Sequence, residues 1–207
     1  MSSLDTQPAT RDALIRAAER LMAQHGIEGA ELREINRLAG QRNRSAVHYH
    51  FKDREGLIVA IRDKHRPAID QHRRAMLDQL ATARDLETRD LVQALVQPMA
   101  APLATDSGRD FLIIVAEAAG RAGSRALTPS HHPYTDALND LTRQLTKHLA
   151  DSTHHTALVR HAVITTTVLL ADIARDLNAK RIKPSDTDKL VNTVTDFITN
   201  ALTPPAP

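Results

Sequence analysis

Between Gly40 and Arg54 the chain sets Arg42, Arg44, Lys52 and Arg54 against one acid, Asp53, with His48 and His50 between them. Four cations less one anion leave a local balance of +3, larger than the +2 carried by all 207 residues. Cations gathered on one short segment suit contact with the phosphates that dominate affinity for a duplex. A solvated loop on an ordinary helical bundle would have the same charge, so the reading depends on the scaffold that presents it.

The other residues able to do chemistry are the eleven histidines. His154 and His155 are adjacent, His161 lies on nearly the same helical face as His154, and His131 and His132 precede a later helix. Metal centres in helical bundles add carboxylates in Glu-x-x-His pairs, and neither that spacing nor His-Glu-x-x-His occurs. Glu117 and Asp172 stand as lone acids. Ser45 and His48 sit three apart on a helix without an acid to orient the ring. No phosphate-cradling glycine loop and no nucleophile elbow is present. The chain is therefore expected to hold no metal or cofactor and not to be an enzyme. The alternatives are a helical-bundle metal enzyme built on the histidines and a DNA-binding protein that needs no ligand.

Composition narrows the setting. There is no cysteine, hence no disulfide, thiolate ligand or thiol nucleophile. No apolar run approaches the roughly 18–20 residues of a membrane span. Met1 to Pro8 is polar, unlike a secretory signal. A cytoplasmic protein without a membrane partner is expected.

The elements that must carry the basic segment read as all-α. Only seven glycines occur, and the clearest β-branched run, Val163 to Val168, falls inside a longer helical pattern. A first helix is expected over Thr10–Gln24, with Thr10 as N-cap and Leu14, Ala17, Ala18, Leu21 and Met22 as its apolar stripe. A second fits Leu32–Ala39, with Leu32, Ile35 and Leu38 inward. A third fits Ser45–His50, sending Val47 and Phe51 to the same core. Asp53 can cap a long fourth helix over Arg54–Leu80, which Pro67 should kink or break near Arg66. Further helices are expected over Thr88–Leu103, Arg109–Arg121, Pro133–Ala150, His154–Ala179 and Ser185–Leu202, with a frayed tail from Thr203. A boundary is expected near Asp53, between a helix-turn-helix head over 1–53 and a helical body over 54–207. Two helices joined by Gly40-Gln-Arg-Asn-Arg44 have the layout of a helix-turn-helix, whose later helix enters the major groove.

The spaced elements Ile15-Arg-Ala-Ala-Glu-Arg-Leu-Met-Ala-Gln-His-Gly26, Leu32-Arg-Glu-Ile35, Leu38-Ala-Gly40, Ser45-Ala-Val-His-Tyr-His-Phe51 and Arg54-Glu-Gly-Leu57 resemble the tetracycline-repressor (TetR) family. The likeness covers about the first quarter of the chain; beyond it only length and helical character are similar. It implies that Tyr49 and Arg54 bond phosphates and that His50 bonds one or packs. Ser45, Ala46 and His48 would approach base edges, and Arg44 would read guanine with its planar fork. Arg42 and Lys52 would position the backbone, while Phe51 and Val47 are core. Two departures stand out. The turn before Tyr49 is one residue longer than the family's commonest form. Glu31 occupies a place where the family often has a phosphate-binding Thr, so that contact is expected to be lost or replaced by Arg33.

For the remainder the resemblance implies a homodimer and an effector pocket. The last two long helices carry stripes at helical spacing, Leu158, Ala162, Thr165, Leu169 and Ile173 on one, Leu190, Val194, Phe197, Ile198, Ala201 and Leu202 on the other. With their symmetry mates these can form a four-helix bundle. Met76, Leu95, Met99, Phe111, Val115, His161 and Thr165 are the expected pocket lining, and the scarcity of aromatics favours a small, mainly apolar effector over a planar cation. The resemblance implies a repressor on a palindromic operator, and the kink expected at Pro67 suggests that an effector releases it by pivoting the fourth helix.

Overall fold

The computed structural model describes residues 6–43, 45–122, 135–149 and 153–203. Among them the regular structure is helical throughout, as the composition predicts. The elements run α1 (Thr6–His25), α2 (Leu32–Leu38), α3 (Ala46–Phe51), α4 (Arg54–Leu80), α5 (Thr88–Ala100), α6 (Asp106–Ala122), α7 (Asp136–His148), α8 (Thr153–Asn178) and α9 (Thr187–Leu202). Short 3-10 turns, Ala101–Ala104 and Pro184–Asp186, precede α6 and α9. α1 starts before the predicted Thr10, because Pro8 falls in a first turn whose N–H groups are unpaired anyway.

The predicted stripe of α1 is buried: Leu14, Ala18 and Met22 are fully covered. They meet Ile35 of α2, Val47 and Phe51 of α3, and Leu57 and Ile61 of α4 in one core. Each large side chain so covered contributes about 1.5–3 kcal/mol, enough to fix short helices that would not persist alone. Leu38, expected inward, is 44% exposed. On α2 the inward side is set by Leu32, Ile35, Asn36 and Ala39, and Leu38 lies about 100° around the helix from Ala39.

α4 runs unbroken through Pro67, so the predicted break is absent. Its buried side changes along its length. Leu57, Ile58, Ala60 and Ile61 face the head, whereas Ile69, Arg73 and Leu77, four residues apart, face the body. One helix therefore belongs to both cores.

Arg73 is 4% exposed, which composition rules disfavour for a guanidinium. Burial lowers its pKa to about 10. The reason for its place lies on α5. Pro98 has no N–H, so the carbonyl of Ala94 loses the partner a helix would give it. Arg73 Nε donates to Ala94 O at 3.2 Å, and Nη2 reaches Leu95 O at 3.5 Å. The arginine repairs a helix that a proline opened. Arg73→Ala is expected to cost about 3 kcal/mol by combining a cavity with an orphaned carbonyl. Adding Pro98→Ala, which restores the amide, should recover about 1 kcal/mol of that in a denaturation double-mutant cycle.

α8 is the central helix of the body, packed on α5, α6, α7 and α9. Over His154–Asn178 it is long and apolar enough by length and composition to cross a membrane, with mean hydropathy 1.5, contrary to the expectation that no run approaches that length. Its apolar character matches its place here, since Val159, Ala162, Leu170, Ala171 and Ala174 are buried against those neighbours.

Candidate nucleic-acid interface

The turn before α3 is built from backbone bonds. Gly40 has φ +70°, a region that suits glycine. Its N–H donates to Arg37 O at 3.1 Å and that of Gln41 to Asn36 O at 2.9 Å, closing α2 in a Schellman arrangement. Asn43 Oδ1 then accepts from Ser45 N at 2.9 Å. Asn36, 2% exposed, accepts from Val47 N at 3.1 Å through Oδ1. A side chain of α2 thus caps an amide in the first turn of α3 and sets the angle between the two helices. Sequence reading missed it, because a lone Asn inside a helix usually faces water.

This frame leaves Arg42, Ser45, His48, Tyr49 and Lys52 on the surface around α3. Tyr49 is 71% exposed. Its ring meets His50 edge-on at 5.0 Å. His50 is half-buried, leaning toward Phe51. Phe51 and Val47 are core, as expected. Arg44 lies outside the described residues.

Three expectations are corrected. Ala46 is 6% exposed and belongs to the head core, so it presents nothing to a base; as the first residue of α3 it lies on the same side as Val47. Arg54 turns inward. It donates to Ala30 O at 2.7 Å and to Ile27 O, with Glu28 at 3.6 Å, and so clamps the α1–α2 loop in place of a free phosphate contact. Glu31 precedes α2 but makes no side-chain cap; it pairs with Arg33, and that carboxylate occupies the guanidinium expected to meet phosphate.

Residues 14–61, which span α2, α3 and this turn, match the sequence model of the bacterial regulatory proteins of the tetR family. The head is thus similar to the DNA-binding region of the TetR family. Over 57 residues the chain is 35% identical to the HTH-type transcriptional repressor AcnR of Corynebacterium glutamicum, a match over 28% of this chain and 30% of that one. The AcnR of Corynebacterium diphtheriae is 37% identical over 51 residues. These matches thus span less than a third of the relatives' length. In fold the likeness extends further. NalD of Pseudomonas aeruginosa, the secondary repressor of the MexAB-OprM multidrug efflux pump, aligns over 92% of this chain and 96% of its own with TM-score 0.59 at 20% identity. The fatty acid degradation regulator FadR of Bacillus halodurans aligns over 91% and 97% with TM-score 0.51 at 16% identity.

The helix-turn-helix head is bolted to the body by polar contacts. Glu19 of α1, 1% exposed, accepts from Lys64 Nζ at 2.7 Å, His65 Nε2 at 2.8 Å and Ser107 Oγ at 2.9 Å. Burial alone would raise its pKa; the bonds from His65, Lys64 and Ser107 outweigh that and hold the carboxyl below its ordinary range. Phe111 stacks on His65 at 4.5 Å. Nearby, Glu117 of α6 accepts from Ile27 N at 2.9 Å, and Arg121 pairs with Glu28. Glu117 is thus a strap to the α1–α2 loop.

Asp110, one turn past Ser107, has its pKa raised to about 6 by burial and by the negative charge of Glu19. A carboxyl raised in the folded state destabilises once ionised, so its penalty grows from pH 4 to 6 and persists above. Asp110→Asn should therefore raise stability by about 1 kcal/mol at pH 7.5 and leave it unchanged near pH 4, measured by thermal unfolding at the two pH values.

The predicted effector and dimer residues separate into several groups. Leu95 and Phe111 are 2% exposed and packed into the core. His161 lies on the outer surface of α8, which removes it from an internal lining. Met76, Met99, Val115 and Thr165 are half-buried. A cleft of about 310 Å³ opens elsewhere, between α1 and α4, beside Ile15, Ala60 and Lys64. Of the dimer stripe, Ala162, Ile173, Val194 and Ile198 are buried within the chain's own body. Both helices have two apolar sides, and the stripes mixed them. Leu158, Leu169 and Leu190 are half-buried, Ala201 is exposed and Phe197 is 56% exposed. Val168, 45% exposed on α8, was missed. His131 and His132 lie outside the described residues.

Proposed function

We propose that this protein is a homodimeric transcriptional repressor that grips a palindromic operator with α3 and responds to a small, mainly apolar effector. The supporting observation is the surface of α3, where Ser45, His48, Tyr49 and Lys52 are exposed while Val47 and Phe51 anchor the helix from behind. Phosphate positioning falls to Tyr49, Lys52 and Arg42, and base reading to Ser45, His48 and, by its place in the sequence, Arg44. Repression is carried over from AcnR and NalD, whose names state it.

One head buries too little to hold a site tightly, and paired heads read two half-sites. The face for pairing is the outward side of α9, Leu190, Phe197 and Ala201, with Val168 of α8 beside it. The effector reaches the body among Met76, Met99, Val115 and Thr165. Its signal travels through α6, because α6 touches the head directly at Ser107, Glu117 and Arg121. An effector that favours one arrangement of α6 shifts the separation of the heads by that preference and no more. Such a protein works in the cytoplasm, where its DNA lies.

Affinity for duplex DNA as a function of salt tests the reading. Lys52→Ala should weaken binding to all sequences and lessen the slope of log K against log salt by about one per half-site. An unchanged slope would remove Lys52 from the phosphate contacts.

A further inference from the structure

We infer that His48 selects an amino base, adenine or cytosine, on the strand it faces. The inference rests on the proposed DNA-binding role of α3 and adds which bases one of its residues accepts. His48 is tied twice to the end of its own helix, once through its backbone and once through its ring. Lys52 N–H donates to His48 O at 2.9 Å, and His48 Nδ1 lies 2.5 Å from Lys52 O. A carbonyl oxygen only accepts, so the hydrogen of this bond belongs to Nδ1. A neutral imidazole has one N–H, and with it committed to Lys52 the other nitrogen, Nε2, is a bare acceptor. The residue is exposed. Lys52 stands at φ +68°, and this bond helps to hold its carbonyl toward the ring.

An acceptor in the major groove finds a donor in adenine N6 or cytosine N4, and none in guanine N7 and O6 or thymine O4. Phosphate oxygens are acceptors as well, so neutral His48 has no bond to offer the backbone. Its neighbours suit that task better: the Tyr49 hydroxyl and the Lys52 ammonium both donate. Along α3, positioning and reading thus alternate between adjacent residues.

Two measurements at pH 8, where an ordinary imidazole is neutral, test this. The first needs no DNA: 15N spectra of histidine-labelled protein should show His48 Nδ1 carrying the hydrogen and Nε2 bare. The reverse tautomer overturns the inference. The second recovers duplexes from a randomised pool with the wild-type protein, His48→Ala and His48→Lys. Each variant is first checked for an unchanged thermal melt, which an exposed site should allow. The wild type should yield one position per half-site with adenine or cytosine favoured over guanine or thymine about five-fold, the scale of one hydrogen bond. His48→Ala should flatten that position alone, and His48→Lys, which only donates, should turn it toward guanine. A motif that His48→Ala leaves unchanged overturns the inference while the DNA-binding reading stands. No motif from the wild type at all overturns both.

Discussion

Phe197→Glu should turn the protein into a folded monomer that binds its operator at least a hundred-fold more weakly. Phe197 is more than half exposed within its own chain, so the substitution touches little of the monomer's core, and its stability should stay within about 0.5 kcal/mol. In a two-fold dimer the same patch meets itself, so each interface would bury two carboxylates in place of two aromatic rings. Loss of a central aromatic anchor alone costs about 2–4 kcal/mol at an interface, and the unpaired charges add to it. Sedimentation equilibrium reads the assembly and a binding isotherm on duplex DNA reads the consequence. Val191→Glu is the contrasting change: Val191 is buried on the inner side of α9, so that substitution should unfold the chain before it affects assembly. A Phe197→Glu protein that remains dimeric would move the interface away from the outward side of α9.

The second large effect is expected at Glu19. Glu19→Ala should lower stability by about 3 kcal/mol at pH 7, or roughly 6–12 °C in melting temperature for a chain of this size. His65 and Ser107 would lose their shared acceptor inside the joint, while Lys64, more than a third exposed, can turn to water and adds less. The sign of the pH dependence follows from the lowered carboxyl. A group held below its unfolded pKa contributes stability that is complete above that value and is lost as pH falls through the folded one. The gap between wild type and Glu19→Ala should therefore be widest above pH 5 and close on acidification. Because Glu19 also raises Asp110, its removal should let the Asp110 midpoint fall from about 6 toward the ordinary range. Equal pH profiles for the two proteins would mean that the joint is not held by this charge.

Much of the head was readable from one sequence because its physics is local. A stripe such as Leu14, Ala18 and Met22 has the period of a helix, Gly40 stops α2 with a conformation other residues avoid, and Asp53 caps α4 by accepting from Gly56 N at 2.8 Å. What failed depended on contacts distant along the chain. Arg54 looks like a surface cation until the loop carbonyls of Ile27 and Ala30 are set against it. Arg73 is intelligible only beside Pro98, and Asn36 only beside Val47. Pro67 alone predicts a break, yet packing on the head at one end and on the body at the other keeps α4 continuous. The body suffered most. A helix such as α8 with apolar residues nearly all round does not declare which side faces its own chain and which a twin, so Ala162 and Ile173 were read as interface. The effector lining was weakest, since a half-buried methionine in a core and one beside a cavity have the same sequence.

The most direct measurement is photo-cross-linking from the head. Tyr49→benzoylphenylalanine places the probe on the outer face of α3. Ala83→benzoylphenylalanine places it in the exposed loop at the far end of α4, about 40 Å away along a helix of this length. With duplex DNA in low salt, irradiation should join the probe at 49 to the DNA in both subunits of a dimer and leave the probe at 83 unlinked. Equal yields from the two sites, or none from either, would contradict the docking of α3 on a duplex.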